Sequence, residues 1–339
     1  SESPELRSAR LAAQQALQAL AFSAQLSPAP GAVRPRGAAA GASGPAATDA
    51  GPAAVTPAHS HAAHEGALDA IRRTLLDVVD RPNYAPRRPL LLPKLMQAMN
   101  DSDTSRRELA TIIATDPALT GSLLRLANSP FYRLQPEPVE SLDRAIALLG
   151  LEGMRSLIAS ALMQPVFRIS GGMFLQFGEI TWEHTLYSGA AAESHAAVIE
   201  NADPFAAQLL ALIMGLSTIV VFRVATDEYL TRKLRPNPSE VGALIDLESA
   251  PVGRRIAASW ELSERMDQAL AEQSALTEVP ASALGRSLQL GRFIGAVTLL
   301  HAHGVMDEEQ VTAALKSGGP RGEAYVRIWS RLAAARASA

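Results

Sequence analysis

Apolar residues recur at every third or fourth position along most of the chain, which is the spacing of an amphipathic helix. Leu68, Ile71 and Leu75 share one such face, and Ile328 and Leu332 share another near the C-terminus. Strict alternation of apolar and polar residues, the mark of a half-buried strand, does not occur. The pattern therefore predicts an all-α protein.

Helix start signals support this prediction. Asp precedes Pro at Asp116-Pro117 and at Asp203-Pro204; the carboxylate can accept from free backbone N–H groups, and Pro suits the first helical position. Asp307 is predicted to cap another helix. The β-branched run at 219–222 is predicted to be helical, because no second strand is available to pair with it. Further helices are predicted at 152–167, 174–199, 239–247, 252–259, 263–273, 283–300, 308–316 and 322–335.

Three regions differ in composition. Residues 1–26 predict a short helix whose thin apolar stripe, set among Ala and Gln, should dock weakly. Residues 27–65 are rich in Ala, Pro and Gly and predict a disordered linker, because they cannot bury enough apolar surface to order the chain. The linker histidines are expected to be incidental rather than a metal site. Residues 66–336 are expected to form the folded helical domain.

Composition excludes several functions. Of the 339 residues, 31 are Lys or Arg and 34 are Asp or Glu, so the net charge of -3 gives no footprint for nucleic acid or anionic lipid. The chain has 0 Cys, which removes disulfides and thiolate chemistry. The longest apolar run, 209–224, is shorter than the roughly 18 residues of a membrane helix. We expect a cytoplasmic protein without membrane insertion.

Several short blocks carry a family resemblance. Residues 116–120 read Asp-Pro-Ala-Leu-Thr, residues 127–132 read Ala-Asn-Ser-Pro-Phe-Tyr, and residues 182–185 read Trp-Glu-His-Thr. Together with Gly-Leu at 215–216 and Trp-Glu-Leu at 260–262, they resemble the HDOD domain in order over residues 85–275. The resemblance implies an HD-like helical bundle, related in fold to the HD metal-dependent phosphohydrolases, and a role as a bacterial signalling module.

The metal pair of those enzymes is missing from the resembling segment. An HD phosphohydrolase holds its divalent metal partly through adjacent His and Asp side chains, and the metal activates a water. The matching tripeptide here is Ser217-Thr218-Ile219, in which Ile219 has no ligand atom. One remaining imidazole, His184, cannot hold a catalytic metal alone. We therefore predict no catalytic residue, no metal and no cofactor.

Three functions follow from the resemblance. The leading one is a non-catalytic regulatory module that binds another signalling protein. The first alternative is the sensing of a nucleotide or cyclic dinucleotide in a relic HD pocket near His184, Thr218 and Arg223. The second is a degenerate phosphohydrolase with a relocated metal.

The other motif residues are expected to serve helix capping and packing rather than chemistry. A ligand contact by the Asn and Ser of the second block is the alternative interpretation. The residues concerned are Asp116, Pro117, Asn128, Ser129, Phe131, Tyr132, Trp182 and Trp260.

Overall fold

The prediction of an all-α fold is confirmed. The structure is a computed structural model, and it describes residues 3–23, 57–81, 83–84, 94, 97–98, 105–115, 117–129, 132, 135, 137–163, 174, 176–274 and 278–337. These residues form α-helices with short 3-10 and π turns, and they contain no β-strand.

Twelve α-helices are described, together with a π turn at Ala196–Glu200 and 3-10 turns at Val78–Asp80 and Gly319–Arg321. The helices are α1 (Pro4–Ser23), α2 (Pro57–Leu76), α3 (Arg106–Ala114), α4 (Pro117–Ala127), α5 (Leu142–Met163), α6 (Phe177–His195), α7 (Pro204–Thr231), α8 (Pro238–Ser259), α9 (Glu264–Ala271), α10 (Ala283–Ala302), α11 (Glu308–Lys316) and α12 (Gly322–Ala337).

Helices α6, α7, α8 and α10 form the centre of the bundle, and the others pack around them. Helix α7 is buried along most of its 28 residues, including the predicted helical run Ile219, Val220, Val221 and Phe222. It is long and apolar enough to cross a membrane, yet 94% of its most apolar segment is buried within the protein. Its hydrophobicity therefore serves the core of the bundle.

The predicted start signals act as caps where they are described. The Asp203 carboxylate accepts from the Ala206 N–H at 3.0 Å, and Pro204 is the first residue of α7. Asp307 and Gln310 form a reciprocal capping box at the start of α11. Helix α4 begins at Pro117 as predicted, whereas Asp116 lies outside the described residues.

The weak docking predicted for residues 1–26 is wrong. Helix α1 packs against α6, α10 and α11, and Leu6, Ala13 and Leu17 are buried. Phe22 adds an aromatic anchor, with its ring 5.1 Å from that of Phe174. Alanine in α1 allows close approach to a neighbouring helix, so a stripe of few large residues suffices for docking.

Two predicted boundaries also differ from the structure. Helix α2 begins at Pro57, so residues 57–65 of the predicted linker are helical; residues 27–56 lie outside the described part. The separate helices predicted at 239–247 and 252–259 form one helix, α8, with Pro251 inside it. Pro251 has no N–H to donate to the Leu247 carbonyl, but Leu247 is exposed, so water can serve instead.

Candidate functional site

A small cavity, with about 50 Å³ of room for the centre of a water molecule, lies where α1 crosses the central helices. Its walls come from α1, α6, α7, α8 and α10, and they include His184 and Thr218 of the predicted relic pocket. The structure therefore brings these two residues to one cavity, although they are far apart in sequence.

The His184 imidazole is held by the backbone of α10. Its Nε2 lies 3.0 Å from the Arg292 carbonyl oxygen, and because a carbonyl can only accept, Nε2 carries the hydrogen. The Ser188 hydroxyl lies 3.2 Å from the same nitrogen. Burial lowers the pKa of His184 to about 4, although the hydrogen bond to Arg292 opposes this shift. His184 is thus a neutral donor at neutral pH.

Thr218 lines the cavity from α7, but its hydroxyl hydrogen is donated to a backbone carbonyl of its own helix. Its hydroxyl donates to the Met214 carbonyl at 3.0 Å, and it lies 3.4 Å from the Ser249 hydroxyl. One turn earlier, a Cβ on Gly215 would overlap the Thr185 side chain, so glycine is required for the close contact between α6 and α7.

Asp246 supplies a carboxylate that the sequence analysis did not select. It accepts from Gln18 Nε2 at 2.7 Å and from Gln14 Nε2 at 3.3 Å, so two side chains of α1 close over it. Burial raises the pKa of Asp246, while the Gln18 hydrogen bond and the charge of Arg292 oppose the rise. Gln14 and Gln18 thus form the polar part of the α1 wall, and Asp246 accepts from both of them.

Arg292 supplies a cation that the sequence analysis also missed. It lines the cavity from α10, and its guanidinium makes no hydrogen bond or ion pair with the described residues. Burial lowers the pKa of Arg292, the charge of Asp246 opposes this, and the charge of Arg10 adds to it. One signal was available, since Arg292 is the sole charged residue between 287 and 300.

Arg223 lies outside the cavity, contrary to the prediction. Its guanidinium donates to the Asn83 carbonyl at 3.2 Å on another side of α7. Five residues separate it from Thr218, and at 3.6 residues per turn this rotates its side chain well away from the cavity face. Proximity in sequence to Thr218 was therefore misleading.

Asn128 and Ser129 make local backbone contacts at the end of α4. Asn128 Nδ2 donates to the carbonyls of Leu124 and Val139, both at 2.9 Å, and its Oδ1 accepts from the Val139 N–H at 2.7 Å. The Ser129 hydroxyl donates to the Leu126 carbonyl at 2.7 Å. Asn128 thus joins the helix end to the chain that follows.

The aromatic motif residues that are described pack in the core. Tyr132 is buried, with its hydroxyl 2.9 Å from that of Ser160. Trp260 is 1% exposed, and Trp182 is partly buried against the core. Phe131 lies outside the described residues, so its packing role stays a prediction.

The side chains of the cavity do not fit a divalent metal. The described residues contain no group of three His, Cys, Asp or Glu side chains that could hold one. With Nε2 donating to a carbonyl, His184 offers one nitrogen at most, which is too few for a metal site. The buried Ile219 has no ligand atom, and the guanidinium of Arg292 would repel a cation.

Solved structures share the fold at low sequence identity. An HDOD domain protein of unknown function from Geobacter sulfurreducens is 18% identical, with a TM-score of 0.54 over 81% of this chain and 97% of that one. A candidate metal-dependent phosphohydrolase from Shewanella amazonensis is 17% identical, with a TM-score of 0.52 over 81% and 99%. A candidate signal transduction protein from Marinobacter aquaeolei is 16% identical, with a TM-score of 0.50 over 84% and 67%.

No curated protein matches this chain. The HDOD domain matches residues 85–276, which is more than half of the sequence and contains His184, Thr218 and Asp246. Helix α1 and Arg292 lie outside the matched span. On this match, the chain belongs to the HDOD domain family.

Proposed function

We propose that this protein is a regulatory module without catalytic activity that acts by binding another signalling protein. The observation that carries the proposal is the cavity at His184, whose described lining holds one imidazole and the half-buried Arg292 guanidinium but no carboxylate and no second histidine. A metal-dependent hydrolase needs a cation to activate its water. Arg292 supplies a fixed positive charge there, and it cannot bind or deprotonate a water as a metal does.

Two exposed leucines mark a surface for a protein partner. Leu76, at the end of α2, is 64% exposed, and Leu247, on α8, is 58% exposed. Arg72 and Glu248 bring these two helices together, with 4.0 Å between Arg72 Nε and Glu248 Oε1. Leu76 lies one turn after Arg72, and Leu247 is next to Glu248. Exposed apolar side chains beside charged residues are typical of a protein-binding patch.

The lack of catalysis is tested on the purified full chain. It is incubated with Mn²⁺ or Mg²⁺ and with cyclic dinucleotides, nucleoside phosphates or a generic phosphodiester, and its metal content is measured. We expect no turnover and no stoichiometric metal. Turnover that a chelator abolishes would contradict the proposal.

The interaction is tested by comparing three baits in an extract of the organism that encodes the chain. These are the wild type, the Leu76→Ser/Leu247→Ser double variant, and a Val305→Ser control at a residue that is 50% exposed elsewhere. A protein captured by the wild type is then purified and titrated. We expect the double variant to weaken its binding at least about 10-fold and the control to leave it unchanged. Equal binding by all three would remove this surface from the proposal.

A further inference from the structure

A second cavity, the Glu200 cavity, lies between the first turns of α1, helix α10 and the start of α12. Its volume is about 520 Å³, within the range of roughly 300–1,000 Å³ found for pockets that bind small molecules. The cavity at His184 offers about 50 Å³, which is room for a few waters, since each needs roughly 10–15 Å³. An organic ligand therefore fits the Glu200 cavity and not the predicted relic pocket while α1 is docked.

Part of the lining of the Glu200 cavity is apolar and aromatic. Phe293 of α10 and Tyr325 of α12 are both buried there, together with Leu6 and Leu290. The Tyr325 ring lies close against Gly318, where a Cβ would be 2.6 Å from a ring carbon. The ring therefore has a fixed place in the lining. Aromatic and aliphatic side chains of this kind suit a flat apolar group.

The charged part of the lining is organised around one buried carboxylate. Glu200, whose side chain is 6% exposed, accepts at Oε2 from Arg286 Nη2 at 2.6 Å and at Oε1 from Arg321 Nη1 at 3.0 Å. Arg286 is fully engaged, because its Nε also bonds to Glu200 and its Nη1 donates to the carbonyls of Pro280 and Ala281. Arg286 thus has a structural role.

Arg321 is the cation that a ligand can reach. Its Nη1 bonds to Glu200, whereas its Nε and Nη2 make no hydrogen bond with the described residues. The side chain is 55% exposed, so Arg321 lies where the cavity meets solvent. Glu200 holds one edge of the guanidinium in place. The remaining N–H groups are planar, charged donors suited to an oxyanion.

We propose that the Glu200 cavity binds an aromatic oxyanion, with its phosphate or carboxylate group on Arg321 at the opening and its flat body against Phe293 and Tyr325. Of the described lining, only His195 and Glu200 lie within the family match at 85–276. The site is therefore built mainly by the segments that flank the HDOD domain. A bound ligand contacts α1, α10 and α12 together and should raise the Tm of the protein.

Titration of the full chain with 1-naphthyl phosphate, followed by calorimetry and thermal unfolding, tests the site. The wild type is compared with Arg321→Met, which keeps an apolar stem and removes the charge. Arg254→Met is the matched control, because Arg254 is 49% exposed, pairs with Asp267 and lies outside the cavity lining. We expect saturable binding to the wild type and the control, and at least about 10-fold weaker binding to Arg321→Met.

Three further ligands separate the two parts of the interaction. Inorganic phosphate lacks the aromatic body, and 1-naphthol lacks the oxyanion. Each should bind at least about 10-fold more weakly than 1-naphthyl phosphate. Adenosine monophosphate distinguishes the natural source of the ligand. Tighter binding than that of 1-naphthyl phosphate would identify a nucleotide, and weaker binding would identify a simpler aromatic acid.

His195 shows by NMR where the ligand binds. Its ring lines the Glu200 cavity, with its centroid 5.9 Å from that of Tyr325. A bound naphthyl ring should therefore shift the imidazole signals of His195, which are assigned with the variant His195→Asn. His184 lines the other cavity and is the internal control. Its signals should not move.

Four results would overturn the site. They are no saturable binding to the wild type, equal binding by Arg321→Met, inorganic phosphate or 1-naphthol binding as tightly as 1-naphthyl phosphate, and shifts at His184 in place of His195. Partner binding through Leu76 and Leu247 is measured separately. Failure of the ligand site therefore leaves the proposed function intact, and the reverse also holds.

Discussion

Replacement of His195 should change how stability depends on pH. His195 is 2% exposed, and its Nδ1 lies 3.0 Å from the Ser287 hydroxyl. Because that hydroxyl donates to the Ala283 carbonyl at 2.8 Å, Nδ1 is the donor to Ser287. Nε2 is buried without a hydrogen-bond partner in the described part of the chain. A proton added there would create a buried imidazolium with no acceptor.

The size of the effect follows from the pKa. Burial lowers the pKa of His195 from 6.5 to about 4, although the charge of Glu200 opposes the shift. Between these values the unfolded chain binds more protons than the folded one, so stability falls as the pH falls. Each unit is worth about 1.4 kcal/mol, which gives about 3 kcal/mol for the whole shift and about 2 kcal/mol between pH 7.5 and pH 5.

Urea unfolding of the wild type and His195→Asn, measured from pH 8.5 to pH 4.5, tests this reasoning. The Asn amide can keep the bond to Ser287 but cannot titrate. We expect the difference in unfolding free energy between the two proteins to be constant above pH 7.5. The difference should then shrink by about 2 kcal/mol toward pH 5, because only the wild type is destabilised by protonation of its unfolded state. A difference that stays constant down to pH 5 would refute the assignment of His195 as a buried neutral base.

Three further substitutions test packing and docking. Gly291→Val should destabilise the fold by about 1–3 kcal/mol in urea unfolding, because a Cβ there would lie 2.6 Å from the Ser188 carbonyl oxygen; an unchanged midpoint would contradict the close contact. Asn128→Ala should cost about 1–3 kcal/mol in the same assay, since it leaves the buried backbone of Val139 without its partners. Phe22→Ala should speed hydrogen exchange in α1 more than in α7, because Phe22 anchors α1; uniform acceleration would contradict local release.

The helical architecture was readable from local chemistry. Start signals such as Asp203-Pro204 act within one helical turn, so predictions made from them do not depend on tertiary packing. The break predicted near Pro251 was wrong for the opposite reason. A proline destabilises a helix locally, but the buried side chains of Leu244 and Val252 on either side of it stabilise α8 by tertiary packing. The docking of α1 was not predicted, because small residues in a helix do not indicate which neighbouring surface they pack against.

The sequence predicted two of the polar residues that line the cavity at His184 and missed two others. His184 and Thr218 were found because the resemblance named their positions, and both line it. Arg292 and Gln18 were missed because they come from segments outside the resemblance, and their meeting depends on the packing of α1 across α10. A lone Arg in an apolar helix indicates a polar site in the core, but a single sequence does not show which residues lie beside it.

The glycine contact between α6 and α10 has a mechanical consequence for this cavity. Gly291 and Gly295 flank Arg292, and a Cβ on either would press on the backbone around Ser188. The α6 and α10 walls are thus held in close backbone contact at both glycines. Helix α1 contributes its wall through amide hydrogen bonds and a few apolar side chains. We therefore expect displacement of α1, rather than separation of α6 from α10, to be the motion that opens the cavity.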